Sequence, residues 1–284
     1  MASRSEHSNF FRRALERATS GGVDLDFHKN TNHTIEHQSS VQQESYNRIG
    51  KQLQRRGRHN HPTTNTFPAS ANYQGDITNP ANRSARIPMS SNCSIWITGL
   101  PVDCTIKQLL ASIRSAGKIF ACHINPPNAQ YKTTAAKITF WDREGTNRFP
   151  DQYTRGAFRV RGNQPAVRMN RVRGRAQSTG PQSRVLRLVG PGRVVNGLYL
   201  EDLFRRYFFY GLDEIIEVEY DRGKRSRCME IRFGSYRAQS SAAMKWIKCV
   251  QEGNKSAVQY MSPGEKFWWA QVEVSWGEDP CAGP

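Results

Sequence analysis

Acidic residues are scarce in this chain of 284 residues: 24 Asp and Glu stand against 41 Lys and Arg, a net charge of +17. A balance this basic points to a polyanionic partner, nucleic acid first among them. The six cysteines (93, 104, 122, 228, 249 and 281) include no C-x-x-C pair, so they read as buried or free thiols. No apolar run approaches the roughly 18 residues of a membrane span, and no apolar leader opens the chain. The expectation is a reducing interior, nucleus and/or cytoplasm, without membrane contact. The sequence also lacks a phosphate loop, a G-x-S-x-G, an H-E-x-x-H and any Cys/His pair at catalytic spacing. A non-catalytic protein without cofactor or metal is therefore expected.

Only 37% of the residues are hydrophobic, so part of the length cannot bury enough apolar surface to order itself. Residues 1–90 are that part. They hold no cysteine and no tryptophan, are rich in Ser, Asn, Gln, Thr and His, and are expected to be a disordered, low-complexity region. The stretch "FFRRALERA" within it reads either as a short amphipathic helix or as a transit-type segment, Glu6 and Glu16 counting against the latter. Six of the seven histidines precede residue 62, a pattern open to a metal tract or to a polar tail. "QRRGRHNHP", 54 to 62, is a basic patch that either touches RNA nonspecifically or solubilises the tail.

Beyond residue 90 the chain contains an internal repeat. "IWITGLP" at 95–101 is echoed 91 residues later by "LRLVGPG" at 186–192. Ile106, Leu109, Leu110 and Ile113 then make a helical stripe stopped by Gly117; Leu200, Leu203, Phe204 and Tyr207 make the same stripe, stopped by Gly211. Each copy continues with two strands, "KIFACHI" and "TAAKITF" in the first, "EIIEVEY" and "RCMEIRF" in the second. A second helix is clear in the later copy, with Ala243, Trp246, Ile247 and Val250 on one face. In the earlier copy Gly145 and Pro150 predict a short or broken one. "AVRMNRV" and "WWAQVEVSW" read as closing strands. The order β-α-β-β-α-β is the ferredoxin-like unit, so the fold class is α+β with two such domains in tandem. Their expected bounds are 91–175 and 184–279, joined by a polar linker at 176–183.

With these residues in view, the chain resembles two RNA recognition motifs in tandem over about residues 91 to 279. That resemblance implies two central strands whose outward aromatics stack on bases. "IWITGL" fits the first-strand hexamer, with Trp96 in the stacking position. The third-strand octamer aligns to "TTAAKITF", leaving Ala135 and Lys137 where aromatics are usual and Phe140 pointing inward. The second copy departs further, with Arg187 in its hexamer "LRLVGP" and Cys228 and Glu230 in its octamer "SRCMEIRF". In the family, degenerate sheets of this kind often bind protein, or bind RNA through loops.

Alternation sends Ile95 and Ile97 to the core and Trp96 and Thr98 to the open face. Trp96 then either stacks on a base or is covered by the linker, the N-terminal arm or the neighbouring domain. Residues 91–175 carry 14 basic and 4 acidic side chains, +10, most of the excess. Parity puts Lys137 beside Trp96 and takes Arg168 from the closing strand, with Arg171, Arg173 and Arg175 running on into the linker. Tyr131 and Lys132, between the second and third strands, either extend the site or solvate a loop. The arginines have a plain alternative as a solvated basic surface. The expected ligand of this set is single-stranded RNA.

The second copy gives a different face. Parity turns Leu186, Leu188, Ile216, Val218, Met229, Ile231, Val272 and Val274 inward. It turns Arg187, Glu217, Glu219, Glu230, Arg232 and Glu273 outward, and Arg187 is expected to pair with Glu230. Residues 176–284 carry 15 basic and 13 acidic groups, only +2, and a face led by carboxylates repels phosphate. A supporting role or a protein partner suits this domain. The alternative for the whole chain is a protein-interaction scaffold whose motifs have lost RNA.

Overall fold

The computed structural model describes residues 83–221 and 226–283. The low-complexity reading, the histidine tract and the basic patch lie, up to residue 82, outside the described residues.

The first domain runs β1 (Ser94–Leu100), α1 (Ile106–Ala111), β2 (Ile119–Asn125), β3 (Thr134–Phe140), α2 (Arg143–Thr154) and β4 (Ala166–Met169). Its sheet has the order β2-β3-β1-β4, every neighbouring pair antiparallel. Ile95 and Ile97 are 1% and 0% exposed, so the alternation in β1 does turn them inward. β1 carries a bulge between Ile97 and Leu100, where Gly99 takes φ 78°, a conformation that only glycine adopts cheaply. α1 opens with a capping box: the Thr105 hydroxyl accepts from the Gln108 N–H, and the Gln108 side chain accepts from the Thr105 N–H. The helix ends at Ala111, well before Gly117, yet Ile113 still reaches the core from the following turn.

α2 corrects the expectation of a broken helix, for it runs continuously over 12 residues with Pro150 inside it. Gly145 is there for contact rather than for breaking: a Cβ on it would lie 2.8 Å from the Phe140 ring. The missing side chain lets α2 press onto β3, and packing holds the helix that local propensity disfavours.

The second domain runs β5 (Val185–Pro191), α3 (Gly197–Tyr207), β6 (Leu212–Asp221), β7 (Ser226–Phe233), α4 (Ser241–Gln251), α5 (Lys255–Val258), α6 (Pro263–Trp269) and β8 (Glu273–Trp276). The sheet order is β6-β7-β5-β8, the same as in the first. Two expectations fail here. Trp268 and Trp269 belong to α6 and not to the closing strand, because Ser262 and Glu265 form a capping box with Pro263 at the first helical position. Trp269 is fully buried there, its Nε1 donating to the Tyr199 hydroxyl at 3.1 Å. In β6 the inward residue is Ile215, opposite Ile231, whereas Ile216 shares the open face with Glu230 and Val218 is 47% exposed. Glu217 accordingly faces Met229, not the open platform, and lies 3.7 Å from Arg227.

The two domains fall within one compact unit, and the end of the chain crosses between them. Cys281 is 1% exposed and packs in the first domain's core, its carbonyl accepting from the N–H groups of Ala116 and Gly117 at 3.0 and 2.9 Å. Asp279 bridges the domains with its two oxygens. One accepts from the Ile119 N–H at 2.7 Å, the other from Arg184 Nε at 2.8 Å. An aromatic chain adds to the seam: Tyr236 stands 5.8 Å from Phe120, 4.9 Å from Trp141 and 5.6 Å from Trp276.

Candidate nucleic-acid interface

One row of side chains crosses the open face of the first sheet. Trp96 on β1 is opposite Lys137 on β3 and Arg168 on β4, and His123 on β2 is opposite Lys137. At about 4.8 Å between strands, the row from Arg168 through Trp96 and Lys137 to His123 spans about 14 Å. Arg168 is exposed, while Trp96 and Lys137 are half-buried. Burial lowers the pKa of the Lys137 ammonium, and the Arg237 guanidinium lowers it further. Burial also lowers the pKa of His123, with Lys137 adding to it. In both shifts burial comes first and a neighbouring cation second. Thr98 lies two residues along the same face, opposite Ala166.

The stretch that follows β4 closes one end of this face. Ser94 Oγ and Thr139 Oγ1 are 2.5 Å apart, and Gly174 lies over them so closely that a Cβ on it would meet Thr139 Cγ2 at 2.8 Å. Buried Asn92 fixes that crossing: its Oδ1 accepts from the Gly174 N–H at 2.9 Å, and its Nδ2 donates to the Asn170 carbonyl at 2.9 Å. The Cys93 N–H donates to the Gly174 carbonyl, also at 2.9 Å. This stretch thus covers the Ser94–Thr139 pair next to the Trp96 row, not the row itself.

The structure gathers Trp96, Lys137 and Arg168 in the row, with Thr98 one step along, and scatters the other expected site residues. Tyr131, 57% exposed, and Lys132 sit in the β2–β3 loop, where the Asn128 side chain accepts from the Gln130 and Tyr131 N–H groups at 2.9 Å each. Arg171 and Arg175 are exposed on the path out of β4. Arg173 is committed to holding the segment before β1: its guanidinium donates to the Ile87 carbonyl, and its N–H donates to Ser84 Oγ at 3.0 Å. Sequence reasoning missed two residues that bear on this row, one in it and one acting on Lys137. His123 was within reach of the alternation in "KIFACHI", whereas Arg237 comes from the other domain and leaves no sequence signal.

The equivalent row of the second sheet is built differently. Arg187 occupies the place of Trp96, opposite Glu230 on β7 and Ser275 on β8, as parity implies. Its Nε donates to Cys228 Sγ at 3.1 Å, and the Glu230 carboxylate accepts from Arg232 at 3.0 Å. Arg232 also lies 3.5 Å from Glu214. Ion pairs occupy the centre where stacking aromatics would be needed.

No known family model matches the sequence, and no curated protein does. Among solved structures the chain is similar to RNA recognition domains 1 and 2 of Sex-lethal from Drosophila melanogaster, at 16% identity over 66% of this chain and 100% of that one, with a TM-score of 0.23. It is also similar to the three N-terminal RNA binding domains of the yeast splicing factor Prp24, at 11% identity over 65% of this chain and 64% of that one, with a TM-score of 0.29. The first two RRM domains of the yeast poly(U) binding protein Pub1 match at 14% identity over 65% and 99%, with a TM-score of 0.24. Likeness at these scores is weak, and the fold rests on the strand order of the chain itself. Two β-α-β-β-α-β units, each with a four-stranded antiparallel sheet whose first and third strands are central, make this chain two ferredoxin-like folds in tandem.

Proposed function

We propose that the first domain holds single-stranded RNA on its open face without catalysing a reaction on it, in the nucleus or cytoplasm. Trp96 stacks on one base, and Lys137 and Arg168 take the phosphates on either side. The observation that carries this reading is the register: an aromatic on an open sheet face with a cation directly opposite it on each neighbouring strand. Stacking contributes about 1–3 kcal/mol per base and tolerates any base, so the cations and their counterion release supply much of the rest. The Thr98 hydroxyl, further along the strand, suits a sugar 2′-OH, the group that separates RNA from DNA. The sheet of the second domain, with carboxylates and ion pairs on it, takes no part in holding that ligand, and the domain supports the first. Exposed Leu198 (86%) and Phe267 (61%) on its helical side favour, as a second reading, a protein contact made there.

The test is a salt titration of the full chain against a labelled single strand. Lys137→Ala and Arg168→Ala are each expected to lower the slope of log K against log salt by about 0.7, the value for one phosphate of a single strand. Slopes unchanged in both variants would contradict the assignment.

A further inference from the structure

β2 is one of the two edge strands of the first sheet, and an edge leaves backbone groups open to pairing. Here one side chain of the second domain meets both groups of a single β2 residue. The Cys122 N–H donates to Ser235 Oγ at 2.8 Å, and the Ser235 hydroxyl donates to the Cys122 carbonyl at 3.0 Å. Ser235 begins an irregular turn before α4 in which Ala238 takes φ 60°. Tyr236, next in the turn, is wedged against Phe120 and Trp141 of the first domain. These contacts fix the turn against β2, one residue from His123 and one strand from Lys137. Arg237, half-buried, is the residue that follows Tyr236.

The charge of Arg237 is felt at Lys137, after burial the second cause of that ammonium's lowered pKa. The docked turn sets Arg237 beside the edge of the sheet that carries Lys137, and the two like charges repel one another. A polyanion lying over both relieves that repulsion. We infer that Arg237 is a phosphate-binding residue of the RNA site, so that a strand crossing the row from Arg168 past Trp96 and Lys137 continues onto the second domain. The second domain thereby completes the site with its turn, although its own sheet takes no part. This inference rests on the RNA reading of the first domain's face.

The experiment uses the full chain and a labelled single strand of about 12 nucleotides, with affinity measured over a range of salt. Arg237→Ala is expected to weaken binding and to lower the salt slope by about 0.7, while Arg237→Lys, which keeps the charge, retains the slope. Thermal melting of both variants checks that the turn still docks. Unchanged affinity and slope in Arg237→Ala, with Trp96→Ala still weakening binding, would overturn the inference and leave the RNA reading standing. An Arg237→Lys variant as weak as Arg237→Ala would also overturn it, because charge would not be what Arg237 supplies. No loss in either Trp96→Ala or Arg237→Ala would sink the inference together with the reading it rests on.

Discussion

Arg184→Ala is expected to destabilise the folded chain by about 3–5 kcal/mol, the cost of breaking a buried ion pair by removing one partner. The guanidinium is 1% exposed, and its side chain meets two carboxylates. Nε donates to Asp279 Oδ1 at 2.8 Å, and Nη1 donates to Asp213 Oδ2 and to the Phe233 carbonyl, each at 2.8 Å. Burial opposes the charge, but Asp279, the Cys281 sulfur and Asp213 outweigh it, so the pKa of Arg184 stands above its ordinary value. Truncation strands Asp279, itself fully buried, as a carboxylate without its cation. The exposed Lys107–Glu214 pair, also 2.8 Å apart, has no comparable effect, since water and salt screen it.

The loss does not stay in one domain. Asp279 also takes the Ile119 N–H of β2, and its Oδ1 accepts from the Cys281 N–H at 3.0 Å. Cys281 in turn fills a place in the first core, and its thiol donates to the Leu110 carbonyl at 3.6 Å. Urea unfolding followed by several probes is expected to show one lowered midpoint shared by both domains. A change below about 1 kcal/mol, the worth of a surface pair, would mean that water reaches the cluster. A first domain cut out at residue 175 would lack Cys281, so binding measurements belong on the whole chain.

Trp96→Ala is expected to weaken binding of a single strand by about 1–3 kcal/mol, roughly 5- to 150-fold in Kd. Stability should barely change, because the ring lies on the open face while Ile95 and Ile97 fill the core beneath it. Trp96→Phe, which keeps a smaller stacking surface, should fall between. Fluorescence anisotropy gives the affinities, and a urea melt of each variant gives the stability. Loss of several kcal/mol of stability with no change in Kd would make Trp96 a packing residue.

Strand parity carried the central row from the sequence, because a buried face fixes register. With Ile95 and Ile97 committed to the core, Trp96, Lys137 and Arg168 had to share the other side. The same rule failed in β6, where two adjacent isoleucines, Ile215 and Ile216, gave either parity and an edge strand imposed less burial. "SPGE" before Phe267 was a readable capping box, outweighed by the strand propensity of two tryptophans. Pro150 misled in the opposite sense, since contact between Gly145 and Phe140 holds α2 where propensity alone would break it. Nothing local announced the Arg184–Asp279–Cys281 cluster or the approach of Arg237 to Lys137. Both join residues roughly 95 to 100 positions apart, and only the docking of two domains brings them together.

Whether the first domain's open face meets RNA is tested most directly by ultraviolet crosslinking of the full chain to a single strand, with the linked peptides mapped. Adducts are expected within residues 94–100 and 131–140, with Trp96 as the principal site and fewer links in the Trp96→Ala variant. Adducts confined to the second domain's sheet, or none at all under conditions that link a known single-strand binder, would contradict RNA binding on this face.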